Sequence, residues 1–94
     1  MMKVVADSLI ARVACWKLGV NRVAIVIGDV VYLYGVSAAS FLADSRWVKH
    51  EECHLAQFKQ YGFVRFVFMY LWEWLRHGYY NNKYEVEARK AEGL

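Results

Sequence analysis

One stretch of this chain, residues 44–62, reads DSRWVKHEECHLAQFKQYG. Asp44 or Ser45 can cap a helix, because their side-chain oxygens accept hydrogen bonds from the first free backbone amides. Gly62 is a typical stop signal, so the helix is predicted to run to about Gln60. The stretch therefore predicts a helix, called the central helix below.

Upstream of this helix, the sequence predicts a helix followed by a β-hairpin. Helical periodicity runs from Lys3 to Leu18, where apolar residues recur at intervals of three and four. These apolar residues are Val5, Leu9, Val13 and Trp16. Arg22 to Ile27 and Val30 to Tyr34 are rich in β-branched and aromatic residues, and Gly28-Asp29 between them suits a two-residue hairpin turn. A connector of small residues, Val36 to Ser40, follows the hairpin.

Downstream of the central helix, the sequence predicts two more helices. Phe63 to His77 is apolar nearly all round, so this helix must be deeply buried or docked. A Gly- and Asn-rich loop at residues 78–82 leads to a last helix from Tyr84 to Glu92. The fold class is thus α+β: one domain over residues 1–94, with an N-terminal helix, a hairpin, and the central helix packed against one or two further helices.

Composition and charge exclude several classes of protein. The 94 residues are 59% hydrophobic and 17% aromatic and contain no proline, which excludes a disordered chain. The net charge of +3 comes from scattered cations, which argues against nucleic acid as a partner. Cys15 and Cys53 are too few for a disulfide framework, so we expect a reducing, cytoplasmic compartment. Charges interrupt the first twenty residues, so no export signal is predicted. The longest apolar run, Phe66 to Trp72, is too short to span a membrane, so no transmembrane segment is predicted.

The central helix contains an HExxH pattern over His50-Glu51-Glu52-Cys53-His54. His50 and His54 lie one turn apart on one face, so both imidazoles can bind one Zn²⁺. Glu51 lies beside that face and can take a proton from a water that attacks a carbonyl, then return it to the leaving amine. The alternative is a solvated helix on which two histidines fall one turn apart by accident.

A catalytic zinc site needs a third protein ligand. A third histidine of the metzincin type is excluded, because Gln57 and Gln60 occupy the positions where that pattern requires Gly and His. A carboxylate must serve instead. The candidates are Glu73, Glu85 and Glu87, whereas Glu92 lies at a terminus that is expected to fray. A salt bridge would explain Glu73 without a metal, and Glu85 could be a surface carboxylate near a helix start.

From Val48 to Ala88 the chain resembles the minimal gluzincins, small zinc peptidases in which a glutamate from a later helix completes an HExxH site. The resemblance rests on the following residues: His50 to His54, Gln57, Gly62, the aromatic helix, Gly78-Tyr79, Asn81-Asn82, and Tyr84-Glu85-Val86-Glu87-Ala88. It implies a zinc peptidase in which Glu85 is the third ligand. Arg89 departs from the pattern, which has an acidic residue there, so support for the ligands must come from other groups.

Three tyrosines cluster before or beside the candidate third ligand. They are Tyr79, Tyr80 and Tyr84. A phenol there can donate a hydrogen bond to the oxyanion that forms when water adds to a carbonyl, or can contact the substrate. Packing in the core or at its rim is the alternative for all three.

The sequence thus predicts a zinc metallopeptidase that acts on a peptide or protein, with Glu51 as general base. We expect the second hairpin strand, Val30 to Tyr34, to expose an edge to which an extended substrate adds. The alternative is a non-catalytic zinc-binding or protein-interaction module. In that case Phe63 to Leu75 would mediate homo-oligomerisation, docking to a partner protein, or peripheral contact with a membrane.

Overall fold

A three-stranded sheet and five helices make up residues 3–93, the part of the chain that the structure, a computed structural model, describes. The α+β class predicted from the sequence is confirmed. In chain order the elements are β1 (Lys3–Val5), α1 (Leu9–Leu18), β2 (Val23–Ile27), β3 (Val30–Tyr34), α2 (Ala38–Ala43), α3 (Ser45–Tyr61), α4 (Phe63–His77) and α5 (Lys83–Ala91).

The hairpin of β2 and β3 forms where the sequence predicts it, with Gly28 at a φ of 65° in its turn. The sheet order is β1-β3-β2, with β1 parallel and β2 antiparallel to β3. Val31 and Leu33 of β3 are fully buried. The prediction that β3 exposes an edge for a substrate is wrong, because both of its edges are already paired. The edge strand beside α3 is β2.

The N-terminal segment also differs from the prediction. The single helix expected from Lys3 to Leu18 is split, because β1 pairs with β3 and its backbone groups bond within the sheet. Ser8 then caps α1 by accepting a hydrogen bond from the Ala11 amide. The helix buries Ala11 and Cys15, whereas Trp16, in the apolar stripe that gave the periodicity, is 81% exposed. The stripe is therefore an outer face of the fold.

The connector predicted from Val36 to Ser40 contains the start of α2, a short helix that the sequence analysis did not anticipate. Ser37 caps it, and its side chain accepts a backbone hydrogen bond from the first turn. Phe41 is fully buried and packs with Val31 and Leu33 in the core beneath the sheet. This helix fixes the path of the chain into α3.

Helix α3 begins and ends close to the predicted residues. Asp44 caps it by accepting a hydrogen bond from the Trp47 amide at 3.1 Å. Gly62 ends it with a φ of 83°, a conformation that glycine adopts without steric cost. Helix α5 packs along α3 in the opposite direction, since its start contacts Gln57 and its end contacts His50.

Helix α4 spans the predicted residues, but it is not deeply buried. Among its residues only Phe66 is buried, in contact with the aromatic rings of Phe58 and Tyr84. Four large apolar side chains define what we call the outer face of α4: Val64, Phe68, Trp72 and Leu75. They are exposed by between 59% and 83%. No helix within residues 3–93 combines the length and hydropathy that crossing a bilayer requires.

Candidate metal centre

Helices α3 and α5 bring three potential metal ligands together. His50 and His54 lie one turn apart on α3, with their ring centroids 5.1 Å apart. Glu85, in the first turn of α5, points a carboxylate oxygen at both rings, 3.1 Å from Nε2 of His50 and 3.2 Å from Nε2 of His54. The ligand atoms of the three residues lie within 4.8 Å of one another, so the group could hold a metal ion.

The other two candidate carboxylates lie elsewhere. Glu73 accepts a hydrogen bond from the Lys83 amide at 3.2 Å and so helps to start α5. Glu87 accepts one from Nε2 of Gln57 at 2.8 Å. Neither belongs to the group formed by the two histidines and Glu85.

Glu85 is held by Tyr70, a residue that the sequence analysis did not identify. The Tyr70 hydroxyl donates a hydrogen bond to Oε2 of Glu85 at 2.6 Å. Asn82, fully buried, caps α5 through the Tyr84 amide and donates to the Tyr70 carbonyl at 3.1 Å. The signal for Tyr70 was its spacing, because it follows the buried Phe66 by one helical turn and shares its face.

Gln57 fixes the tautomer of His54. Its Nε2 donates to the Tyr84 carbonyl at 3.1 Å and to Glu87 at 2.8 Å, so its Oε1 must be the atom that lies 2.8 Å from Nδ1 of His54. Nδ1 of His54 therefore carries the proton and donates a hydrogen bond to Oε1. In the neutral ring, Nε2 is left with a free electron pair directed at Glu85.

Glu92 has the same effect on His50. Its Oε2 lies 2.7 Å from Nδ1 of His50, and an ionised carboxylate can only accept, so Nδ1 is the donor. The sequence analysis set Glu92 aside as a residue at a fraying end, whereas the structure bonds it to the site. The signal was the seven-residue spacing from Glu85, which places both carboxylates on one face of α5.

When both imidazoles are neutral, the site therefore directs their Nε2 electron pairs and one carboxylate at a common point. Such groups repel one another unless a positive charge lies among them. Two histidines and one glutamate form a donor set found in catalytic zinc sites, which keep the fourth position open. The residues present could therefore hold a metal ion.

In the metal-free protein, protons supply the positive charge. Burial lowers the pKa of His50, but the hydrogen bond with Glu85, the charge of Glu51 and the hydrogen bond with Glu92 together outweigh burial and raise that pKa from 6.5 to about 9. For Glu85, burial raises the pKa, and the hydrogen bonds from His50 and His54 outweigh it and hold the pKa well below the usual range. The site thus favours a bound cation or proton.

Glu51 lies next to the ligand group on the inner side of α3. Its side chain lines the cleft described below, and the residue is 4% exposed. Burial raises its pKa from 4.5 to about 7, against the opposing effect of the charges on His54 and His50. The carboxylate predicted as the general base therefore borders the space in which a substrate would lie.

The three tyrosines singled out in the sequence are placed differently from one another. Tyr79 borders the cleft, and burial raises the pKa of its phenol, which stays protonated and able to donate. Tyr80 is 69% exposed and lies under the guanidinium of Arg89, whose Cζ is 3.9 Å from the ring centroid. The Tyr84 ring is packed against Phe66 in the interior. Only Tyr79 of the three borders the cleft.

A cleft of about 380 Å³ lies over the three ligands, between the edge strand β2 and helix α4. All five residues of β2 line one wall, and Val67, Leu71 and Trp74 of α4 lie among its other lining residues. A second cavity of about 580 Å³ shares His50 and Tyr79 with this cleft. The candidate metal centre therefore borders a cleft with mainly apolar walls.

Comparison of the chain with protein-family models, with curated proteins and with solved structures finds no significant match.

Proposed function

We propose that this protein is a zinc-dependent peptidase. The observation that carries the proposal is the convergence of His50, His54 and Glu85 at the floor of a cleft that also contains Glu51. Two imidazoles and one carboxylate leave a coordination position open, as hydrolytic zinc sites require. The resemblance to the minimal gluzincins supports the same reading.

Each residue of the site has a defined task in this proposal. His50, His54 and Glu85 hold the metal, which when bound supplies Lewis-acid polarisation of the scissile carbonyl and acidifies the attacking water. Glu51 takes the proton from that water and passes it to the leaving amine. Tyr79 donates a hydrogen bond to the oxygen of the substrate carbonyl as negative charge develops on it.

The substrate lies along β2 in this proposal. β2 is an edge strand whose residues all line the cleft, so an extended peptide can add to it through main-chain hydrogen bonds. The apolar wall of α4, which includes Leu71 and Trp74, suits apolar substrate side chains. This placement replaces the strand that the sequence analysis expected, Val30 to Tyr34.

The test is hydrolysis of a mixed peptide library by zinc-loaded protein, compared with Glu51→Gln. We expect Glu51→Gln to lower turnover by about 100- to 10,000-fold, the usual contribution of a positioned general base, while zinc stays bound. The matched control is Glu52→Gln, which changes an exposed carboxylate on the same helix and should leave turnover unchanged. Equal turnover in Glu51→Gln and wild type would reject Glu51 as the base.

One observation favours a second candidate function, a protein-interaction module in which zinc is structural or absent. The outer face of α4 exposes large apolar side chains, and such patches mark interaction surfaces. The two functions differ in what zinc does: chelation would unfold a protein with structural zinc but would only inactivate a peptidase. Mass measurement by size-exclusion chromatography with light scattering tests self-association directly.

A further inference from the structure

We propose that Glu92 is a positioning residue for the metal site, which holds the ring of His50 so that Nε2 faces the metal. This inference rests on the proposed metal-binding function and adds a residue that does not touch the metal. It gives the residue at the C-terminal cap of α5 a role in the site.

The contact between the two residues is short and directional. Oε2 of Glu92 lies 2.7 Å from Nδ1 of His50, on the opposite side of the ring from Nε2, which faces Glu85 at 3.1 Å. A histidine that donates from Nδ1 to a carboxylate becomes a stronger donor of electrons at Nε2 and is fixed in its orientation. Glu92 is thus placed to set both the tautomer and the direction of this ligand.

His50 depends on this contact more than His54 does on its own partner. The His54 side chain is 9% exposed, and its partner Gln57 is on the same helix and is itself bonded to α5. The His50 side chain is 15% exposed and borders both cavities, so solvent surrounds part of its ring. Its partner comes from a different helix, so its orientation depends on how α5 docks.

Arg46 extends this contact toward the surface. Its guanidinium lies 3.6 Å from Oε1 of Glu92, while the other oxygen of the same carboxylate bonds to His50. The Arg46 side chain is 77% exposed, so solvent screens this ion pair and its effect on the site should be small.

The experiment measures zinc affinity by competition with a chromophoric chelator. We expect zinc binding to weaken by about 10-fold in Glu92→Gln, which keeps an acceptor but loses the charge, and by up to about 100-fold in Glu92→Ala. Arg46→Ala should change the affinity by less than about threefold, and Glu52→Gln, the exposed control on α3, should match wild type. Glu92→Ala binding zinc within twofold of wild type would overturn the proposal.

A spectroscopic readout separates positioning from a general effect on the fold. In zinc-loaded wild type, NMR should detect the Nδ1 protons of both histidines, protected from exchange by Glu92 and Gln57. In Glu92→Ala the His50 signal should be lost and the His54 signal kept, because Gln57 is untouched. Loss of both signals, or of neither, would contradict a role that is specific to His50.

This test does not depend on catalysis. Wild type that binds zinc but cleaves no peptide would reject the peptidase and leave the role of Glu92 standing. Equal zinc affinities in wild type and Glu92→Ala would reject the role of Glu92 alone. Wild type that binds no zinc would overturn both.

Discussion

The candidate metal centre and the outer face of α4 depart from the usual distribution of side chains in opposite directions. At the centre, ionisable groups are buried: Glu51, His54 and Glu85 are exposed by 7% or less. On the outer face of α4, apolar groups are in solvent, and Leu75 is 83% exposed. Buried polar groups are costly unless they have partners, and among the described residues no buried side-chain nitrogen or oxygen lacks one. The comparison therefore separates a region of buried ionisable groups that could hold a metal ion from a region of apolar side chains available for contact.

The largest effect should come from removing a ligand at the centre. We expect His54→Ala to weaken zinc binding by more than about 100-fold, since loss of a ligand should exceed the 10- to 100-fold loss typical of supporting residues. Chelator competition measures the change. His77→Ala, which removes an exposed histidine at the end of α4, is the control and should bind zinc as wild type does. Similar zinc affinities in His54→Ala and His77→Ala would contradict the role of His54 as a metal ligand.

The inner side of α4 should matter for stability. Phe66 is 2% exposed and touches the rings of Phe58, Tyr61 and Tyr84. Phe66→Ala should lower the free energy of unfolding by about 3–5 kcal/mol, because it removes buried surface and leaves a cavity. Urea denaturation of the metal-free protein measures this. A loss below about 1 kcal/mol would mean that α4 is not anchored by this side chain.

Changes in pH should test whether zinc and a proton compete for His50 in the metal centre. The raised His50 pKa means that the folded metal-free protein holds this proton more tightly than the unfolded chain does. The resulting stability is fully present below pH 6.5 and is lost as the pH rises through about 9. Zinc must displace that proton, so its stabilising effect should grow over the same range.

Melting temperatures with and without zinc, at fixed buffered free zinc, measure this effect. The difference should be larger at pH 9 than at pH 6.5. A constant or shrinking difference would contradict a site in which the metal competes with the proton on His50.

The smallest effect should come from the outer face of α4. Leu75→Gln should change the free energy of unfolding by less than about 0.5 kcal/mol, because the side chain is already in solvent. Urea denaturation beside Phe66→Ala tests the contrast within one helix. A large loss in Leu75→Gln would show that the outer face contributes to the fold, for example by contact between copies of the chain.

Local signals in the sequence predict much of this fold. The caps and glycines that bound α3, the hairpin turn at Gly28 and the extent of α4 all depend on residues next to them in the chain. The pairing of β1 with β3 is different, since it depends on residues separated by much of the chain. Periodicity therefore assigned β1 to a helix. The apolar stripe that gave this periodicity is itself exposed, with Trp16 81% accessible to solvent.

The residues of the candidate site also divide into those that local sequence predicts and those that depend on how the helices pack. The spacing of His50 and His54 is local and readable, whereas the choice of Glu85 among several carboxylates depends on how α5 docks on α3. Tyr70 was not identified from the sequence and Glu92 was set aside, because their contacts with the site form only when α4 and α5 pack against the histidines. The spacing of these residues indicates the helix face on which each lies but not the side chain that it contacts, so sequence alone does not assign their role.

X-ray absorption at the zinc edge on the 1:1 zinc complex tests the central claim most directly. The structure predicts two imidazole nitrogens at about 2.0–2.1 Å and a carboxylate oxygen at about 2.0–2.2 Å, with the imidazole signal reduced to one ring in His54→Ala. A zinc spectrum without imidazole scattering, or one that His54→Ala leaves unchanged, would contradict the account.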